Sequence, residues 1–268
     1  MFTNRYKYIL LVLFVGTIPL TVQSAARLPF SSSFEANNFS EWNGGADASL
    51  TVTNEDSSNG QYSARAQMSS GSTADNYKDF YFGDHASVNG APATNGLWLE
   101  LDSKFDAGFD FGTERIHKIA IINFEDENRR RRYQVIINVR LPEEIYFIEN
   151  LAWNADRSFD KTVDAYSQNI GQTLTMNRGQ WDKLKLYIQL NTPGSRNGIV
   201  KFWQNDQLIM DFTDTYLREN TNFNPNKLIL SNYTRNTDII GIQRWDNFYL
   251  GIDPPASVVR PNPPQLLE

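Results

Sequence analysis

The stretch GQWDKLKLYIQLNTPGSRNGIVKFWQNDQLIMD, from Gly179 to Asp211, decides the fold class. In it Leu184, Leu186, Ile188 and Leu190 alternate with Lys183, Lys185, Tyr187 and Gln189. A period of two sends successive side chains to opposite faces of a strand, so the leucines face a core and the polar row faces outward. The run from Asn191 to Gly198 (NTPGSRNG) is dense in strand breakers, and the chain reverses there. A second strand follows from Ile199 to Trp203, and Asn205-Asp206 makes a tight turn into a third. The outward row presents two ammonium groups, a phenol and amides, which suit an anionic ligand rich in hydroxyls.

The same reading extends outward. Leu97, Leu99, Leu101 and Phe105 alternate with Trp98, Glu100, Asp102 and Lys104. Strands are predicted over 116–124 and 132–140, joined through Glu125-Asp126-Glu127-Asn128, and further ones over 145–148, 227–233 and 243–252. Within 132–140, Val135, Ile137 and Val139 share one face, while Gln134, Asn138 and Arg140 share the other. Many strands, turn-rich connections and no helical periodicity argue for an antiparallel β-sandwich of jelly-roll type. The inner faces are expected to hold Leu99, Leu101, Val135, Ile137, Val139, Leu184, Leu186 and Ile188.

At the amino end, Arg5 and Lys7 precede the apolar run from Ile9 to Val15, and Ser24-Ala25-Ala26 offers a small-residue cleavage site. Residues 1–26 read as a secretory signal, 27–253 as one jelly-roll domain, and 254–268 as a disordered tail rich in proline. The protein is expected outside the cytoplasm, as a monomer with no membrane attachment after cleavage. With no cysteine, disulfides and thiolate chemistry are excluded, and the core must be large. Twenty-five cations against 31 acids give a net charge of −6, a poor match for nucleic acid. An acidic polysaccharide would need a locally basic groove.

Ser33-Phe34-Glu35, Trp42 and the segment from Ser58 to Ala64 (SNGQYSA) resemble the first strands of carbohydrate-active jelly rolls. Gly179-Gln180-Trp181, Asn191-Thr192-Pro193-Gly194, Asn197-Gly198, Trp203 and Trp245-Asp246-Asn247-Phe248 resemble concanavalin A-like sandwiches. Within that superfamily the chain is similar to secreted bacterial polysaccharide lyases of the alginate, glucuronan, heparin and ulvan lyase kind. Three family motifs are missing. Arg-x-Glu-x-Arg and Gln-Ile-His of one alginate lyase family do not occur. The Glu-x-Asp-x-x-Glu of laminarinase-like glucanases is cut short, since Lys104 and Phe105 follow Glu100-Leu101-Asp102.

The resemblance implies cleavage of a uronic-acid polysaccharide by β-elimination, with no cofactor required. The same features suit a non-catalytic carbohydrate-binding module, and the residues do not separate the two. Elimination needs a neutralised carboxylate, a base for the neighbouring C–H and an acid for the leaving oxygen. A tyrosine, with its ordinary pKa of about 10, needs adjacent cations to act as that base. Tyr233 resembles the lyase tyrosine and has Arg235 two residues on; Tyr187 and His117 are the other candidates for proton transfer. Lys183, Lys185, Gln189, Gln134, Asn138, Arg140 and Arg235 are candidate substrate ligands. Their two rows are expected to converge on one concave face. By resemblance, Glu35 and Asp246 are candidates for a structural calcium. His85 falls in a loop. Arg129 to Arg132 read as a solvated hairpin end beside Glu125, Asp126 and Glu127, and most of the six tryptophans are expected in the core.

Overall fold

The computed structural model describes residues 28–45, 50–71, 75–88, 90–154, 156, 158–233 and 238–255. The expected signal segment, Arg235 and all but the first two residues of the expected tail lie outside them. Among the described residues no helix is long and apolar enough to cross a membrane. In chain order the strands are β1 (Phe30–Ser32), β2 (Leu50–Thr53), β3 (Ser63–Met68), β4 (Asp75–Tyr81), β5 (Gly96–Phe105), β6 (Ile116–Glu125) and β7 (Arg131–Arg140). There follow β8 (Ile145–Trp153), β9 (Phe159–Tyr166), β10 (Asp182–Gln189), β11 (Gly198–Gln204), β12 (Gln207–Thr215), β13 (Lys227–Tyr233) and β14 (Gly241–Gly251).

They form two antiparallel sheets. The eight-stranded sheet runs β12-β11-β10-β5-β14-β3-β2, with β1 also paired to β14, and the six-stranded sheet runs β4-β13-β6-β7-β8-β9. The fold is an all-β sandwich of the jelly-roll, concanavalin A-like kind. The residues expected on the inner faces are there: Leu99, Leu101, Val135, Ile137, Val139, Leu184, Leu186 and Ile188 share one cluster, each no more than 1 % exposed. Burying each such side chain contributes about 1.5–3 kcal/mol. The Asn205-Asp206 turn joins β11 to β12 with φ of 53° and 65°, the two left-handed residues that a tight hairpin twisted like its strands requires. Contrary to expectation, only Trp42 and Trp245 among the tryptophans are buried; Trp98, Trp153, Trp181 and Trp203 are half-buried.

One irregularity matters for function. Lys118 pairs with Asn138 but Ala120 pairs with Ile137, so Ile119 is an extra residue on β6. A bulge of this kind reverses the face on which later side chains emerge. Before it, His117 points into the sandwich; after it, Ile121 and Asn123 point out. His117 is fully buried among Phe105, Phe109 and Phe111, and its Nε2 donates to Gln243 Oε1 at 2.9 Å.

Burial pushes the His117 pKa down to about 4, against an ordinary 6.5, with the Gln243 bond opposing the shift only in part. The folded state therefore keeps His117 neutral where the unfolded chain takes up a proton. Its contribution to stability is complete above pH 6.5 and drains away as pH falls toward 4, by about 3 kcal/mol in all. The expected result is that the stability gap between wild type and His117→Gln, from urea unfolding, narrows across that window. Parallel pH profiles would refute it.

Candidate active-site groove

The outer face of the six-stranded sheet carries a groove of about 510 Å³. Strand register fixes its floor as a grid. One line crosses five strands as Tyr81, Lys227, Asn123, Gln134 and Leu151. The next line is Asp79, Ile229, Ile121, Ile136 and Glu149. Ile121, Ile136 and Leu151 form a small apolar cluster with Ile229 and Trp153, separate from the main core. Beyond the bulge, Lys118 and Asn138 lie side by side, and Tyr233 ends β13 near them.

Lys118 Nζ sits 4.5 Å from the centroid of the Tyr233 ring. Both residues line the groove, as do Ser231, two residues before Tyr233 on β13, and its cross-strand partner Tyr77 on β4. Tyr233 lies six residue steps beyond Lys227 along β13, so the groove runs about 20 Å from this pair to its other end at about 3.3 Å per residue.

At that other end the polar groups are chained together. Gln134 Nε2 donates to Asn123 Oδ1 at 2.8 Å, and Asn123 Nδ2 donates to Glu125 Oε1 at 3.0 Å. His85 accepts the Ser87 N–H on Nδ1, so its Nε2 carries the proton and donates to Glu125 Oε2 at 3.1 Å. The His85 ring stacks on Tyr81 at 4.2 Å. Lys227 Nζ reaches Asp79 at 2.9 Å and Glu125 at 3.6 Å. Burial works against the Lys227 charge, but the two carboxylates together hold its pKa above the usual lysine value. Asp79 is raised by burial, which Lys227 offsets only in part. Burial also opposes ionisation of Glu125, yet His85, Lys227 and Asn123 bring it below the ordinary carboxylate value.

Four cations line the groove, Lys118, Arg129, Arg131 and Lys227, against two acids, Asp79 and Glu125. A basic channel thus sits in a protein whose net charge is −6. A smaller depression of about 380 Å³ near Phe111 and Leu141 is bridged by the Arg178–Glu144 ion pair, and no tyrosine or histidine lines it.

The structure divides the residues picked from sequence. Tyr233 and Gln134 line the groove. Asn138, fully buried, and Arg140, whose guanidinium lies over Phe147 and donates to Ser167, share that sheet face. The expected convergence with the Lys185 row does not occur. Because Leu184, Leu186 and Ile188 face the core, Lys183, Lys185, Tyr187 and Gln189 emerge from the far side of the other sheet, and sheets stack about 10 Å apart. There both lysines lie within 3.6 Å of Glu100 and within 3.4 Å of Asp206. The Tyr187 hydroxyl bonds Gln189 at 3.3 Å, and its ring packs on Trp98 at 4.5 Å. His117 is sealed between the sheets. Tyr187→Phe is accordingly expected to leave any groove activity within about twofold of wild type, as a surface change remote from the chemistry; a tenfold loss in steady-state turnover would contradict this placement.

Glu35 and Asp246, the residues expected as calcium candidates, both bind backbone N–H groups. Glu35 lies after β1, not in it, and its carboxylate accepts the N–H groups of Gln61 and Tyr62 at 3.0–3.2 Å. Asp246 accepts those of Ser58, Asn59 and Asn247 at 2.8–3.2 Å. Both acids hold one loop. Among the described residues no group of three or more His, Cys, Asp or Glu could hold a metal ion. Burial raises the Asp246 pKa to about 7, against the pull of its three N–H donors and with Asp102 adding to the rise.

Sequence reading missed Lys118, Arg129 and Arg131. The arginine run, read from sequence as a solvated hairpin end, is divided: Arg130 pairs with Asp126 at 2.9 Å and Arg132 lies over Phe223. Its other two members turn into the groove.

A family model described as polysaccharide lyase 14 matches residues 144–234, a span that includes Tyr233. No curated protein sequence matches the chain. Among solved structures, an endo-β-1,4-glucuronan lyase from the fungus Trichoderma reesei superposes with a TM-score of 0.59 at 9% identity, over 83% of this chain and 94% of that one. A marine PL-14 alginate lyase from Aplysia kurodai gives 0.54 at 12% identity, over 77% and 88%. An alginate lyase from Chlorella virus gives 0.51 at 12%, over 75% and 88%. At such identities the likeness is one of fold.

Proposed function

We propose that the protein is a polysaccharide lyase that cleaves a uronic-acid polymer by β-elimination in the groove of the six-stranded sheet. The observation that carries this reading is the Tyr233–Lys118 pair, an ammonium 4.5 Å from the centroid of a phenol ring in a basic channel. Lys118 binds the uronate carboxylate and draws off its charge, which acidifies the adjacent C5–H. Tyr233 handles protons at the same sugar. As C5–H is deprotonated, the C4–O bond breaks, a C4–C5 double bond forms and the departing oxygen takes up a proton. Asn138 is the cross-strand neighbour of Lys118 on the same sheet face. The lyase 14 match across β8 to β13 and the lyases sharing this sandwich favour the same chemistry.

The test is incubation with alginate, polyglucuronate, ulvan and heparin while following ultraviolet absorbance of the unsaturated uronyl product. A rise with at least one polymer is expected. Binding with no rise on any of them would replace this reading with that of a carbohydrate-binding module.

A further inference from the structure

The end of the groove remote from Tyr233 has a composition of its own. Arg131 lies with its guanidinium carbon 3.7 Å from the centroid of the Trp153 ring. The Phe159 ring meets Trp153 edge-on at 5.6 Å and is 52 % exposed, on the edge strand β9. Arg129, exposed in the turn before β7 with φ of 57°, lines the same end. The N–H fork of a guanidinium lies in the plane of the group, and carboxylates bind it there side-on. Lys227, the other cation here, reaches Asp79 and Glu125. The Trp153 indole N–H has no acceptor among the described residues.

We infer that Arg129, Arg131, Trp153 and Phe159 form a second acidic-sugar subsite, about 20 Å along the groove from the Tyr233–Lys118 pair. It takes a further uronate of the same polymer, carboxylate on the arginines and C–H face on the aromatic rim. This rests on the groove being the substrate channel. Its consequence is a preference for chain length: a polymer spans both ends, while the shortest cleavable oligomer fills only the Tyr233 end. Two anchors on one chain act at high effective concentration, so losing one weakens long ligands selectively.

The experiment compares wild type with Arg131→Ala, Arg131→Lys and Arg129→Ala, on alginate and polyglucuronate and on their shortest cleaved oligomers. Binding by the Tyr233→Phe background is measured in parallel by affinity electrophoresis at several salt concentrations. For Arg131→Ala, kcat/KM on polymer should fall at least tenfold through KM, with short oligomers within twofold of wild type. Polymer retention should weaken and depend less on salt. Arg129→Ala, at an exposed turn, should move in the same direction without touching the Trp153 stack. Arg131→Lys should restore part of the retention. Equal losses on long and short substrates, or unchanged polymer binding in both alanine variants, would overturn the subsite. Should no polymer be cleaved at all, the lyase reading fails, and the retention series still decides the subsite.

Discussion

Tyr233→Phe is expected to lower kcat by about two orders of magnitude or more, the usual worth of a positioned proton-transfer group. The substitution removes one oxygen and leaves the ring under Lys118 Nζ at 4.5 Å, so the packing at the end of β13 is retained. KM is expected to change little, because the phenol acts in the transition state more than in ground-state binding. Steady-state kinetics on whichever polymer is cleaved, with circular dichroism to confirm the sandwich, decides the matter. Turnover close to wild type would remove Tyr233 from the mechanism. Neither of the other proton-transfer candidates from sequence could then inherit the role, since Tyr187 is on the opposite sheet and His117 is sealed in the core.

Lys118→Met is the second large effect, with kcat expected to fall about 10²–10³-fold, as when an electrostatic stabiliser of developing charge is lost. Methionine keeps the length and apolar stem of lysine, so contact with the Tyr233 ring survives while the charge does not. The other cations lining the groove, Arg129, Arg131 and Lys227, gather at the far end, too distant to replace it. Burial raises the Glu149 carboxyl above its ordinary value, and Lys118 is the charge that opposes this. Without Lys118, Glu149 holds its proton to still higher pH. Lys118→Arg should recover part of the rate. A methionine variant that turns over like wild type would show that the carboxylate is neutralised elsewhere.

The fold was legible because alternation is a local property. Leu184, Leu186 and Ile188, or Val135, Ile137 and Val139, announce a core face without reference to any other strand. The site was legible only in part, because alternation says that two faces exist and not which sheet a strand joins. The Lys185 row and the Gln134 row each face away from the same core, and therefore away from each other. The Ile119 bulge hid a second fact. Counting by twos puts His117 with Ile121 and Asn123, and hides Lys118 from the face it occupies. Arg131 was lost in the same way, through the register shift at Phe124 and Glu125 that turns alternate arginines into the groove. Tyr233, which lines the groove, was reached by resemblance and needed no count along the strand.

The strand order carries a consequence for how the chain folds. The last strand, β14, lies between β5 and β3 and also pairs with β1. While the chain is being made, β3 and β5 present unsatisfied edges until residues 241–251 arrive, more than a hundred positions after β5. The loop held by Asp246 waits on the same event. Such distant pairings are slow to form, and open edges in the interval invite association between nascent chains. A chain truncated before Gly241 cannot close its larger sheet. It should be recovered as aggregate, where truncation after Pro255 leaves every described pairing intact.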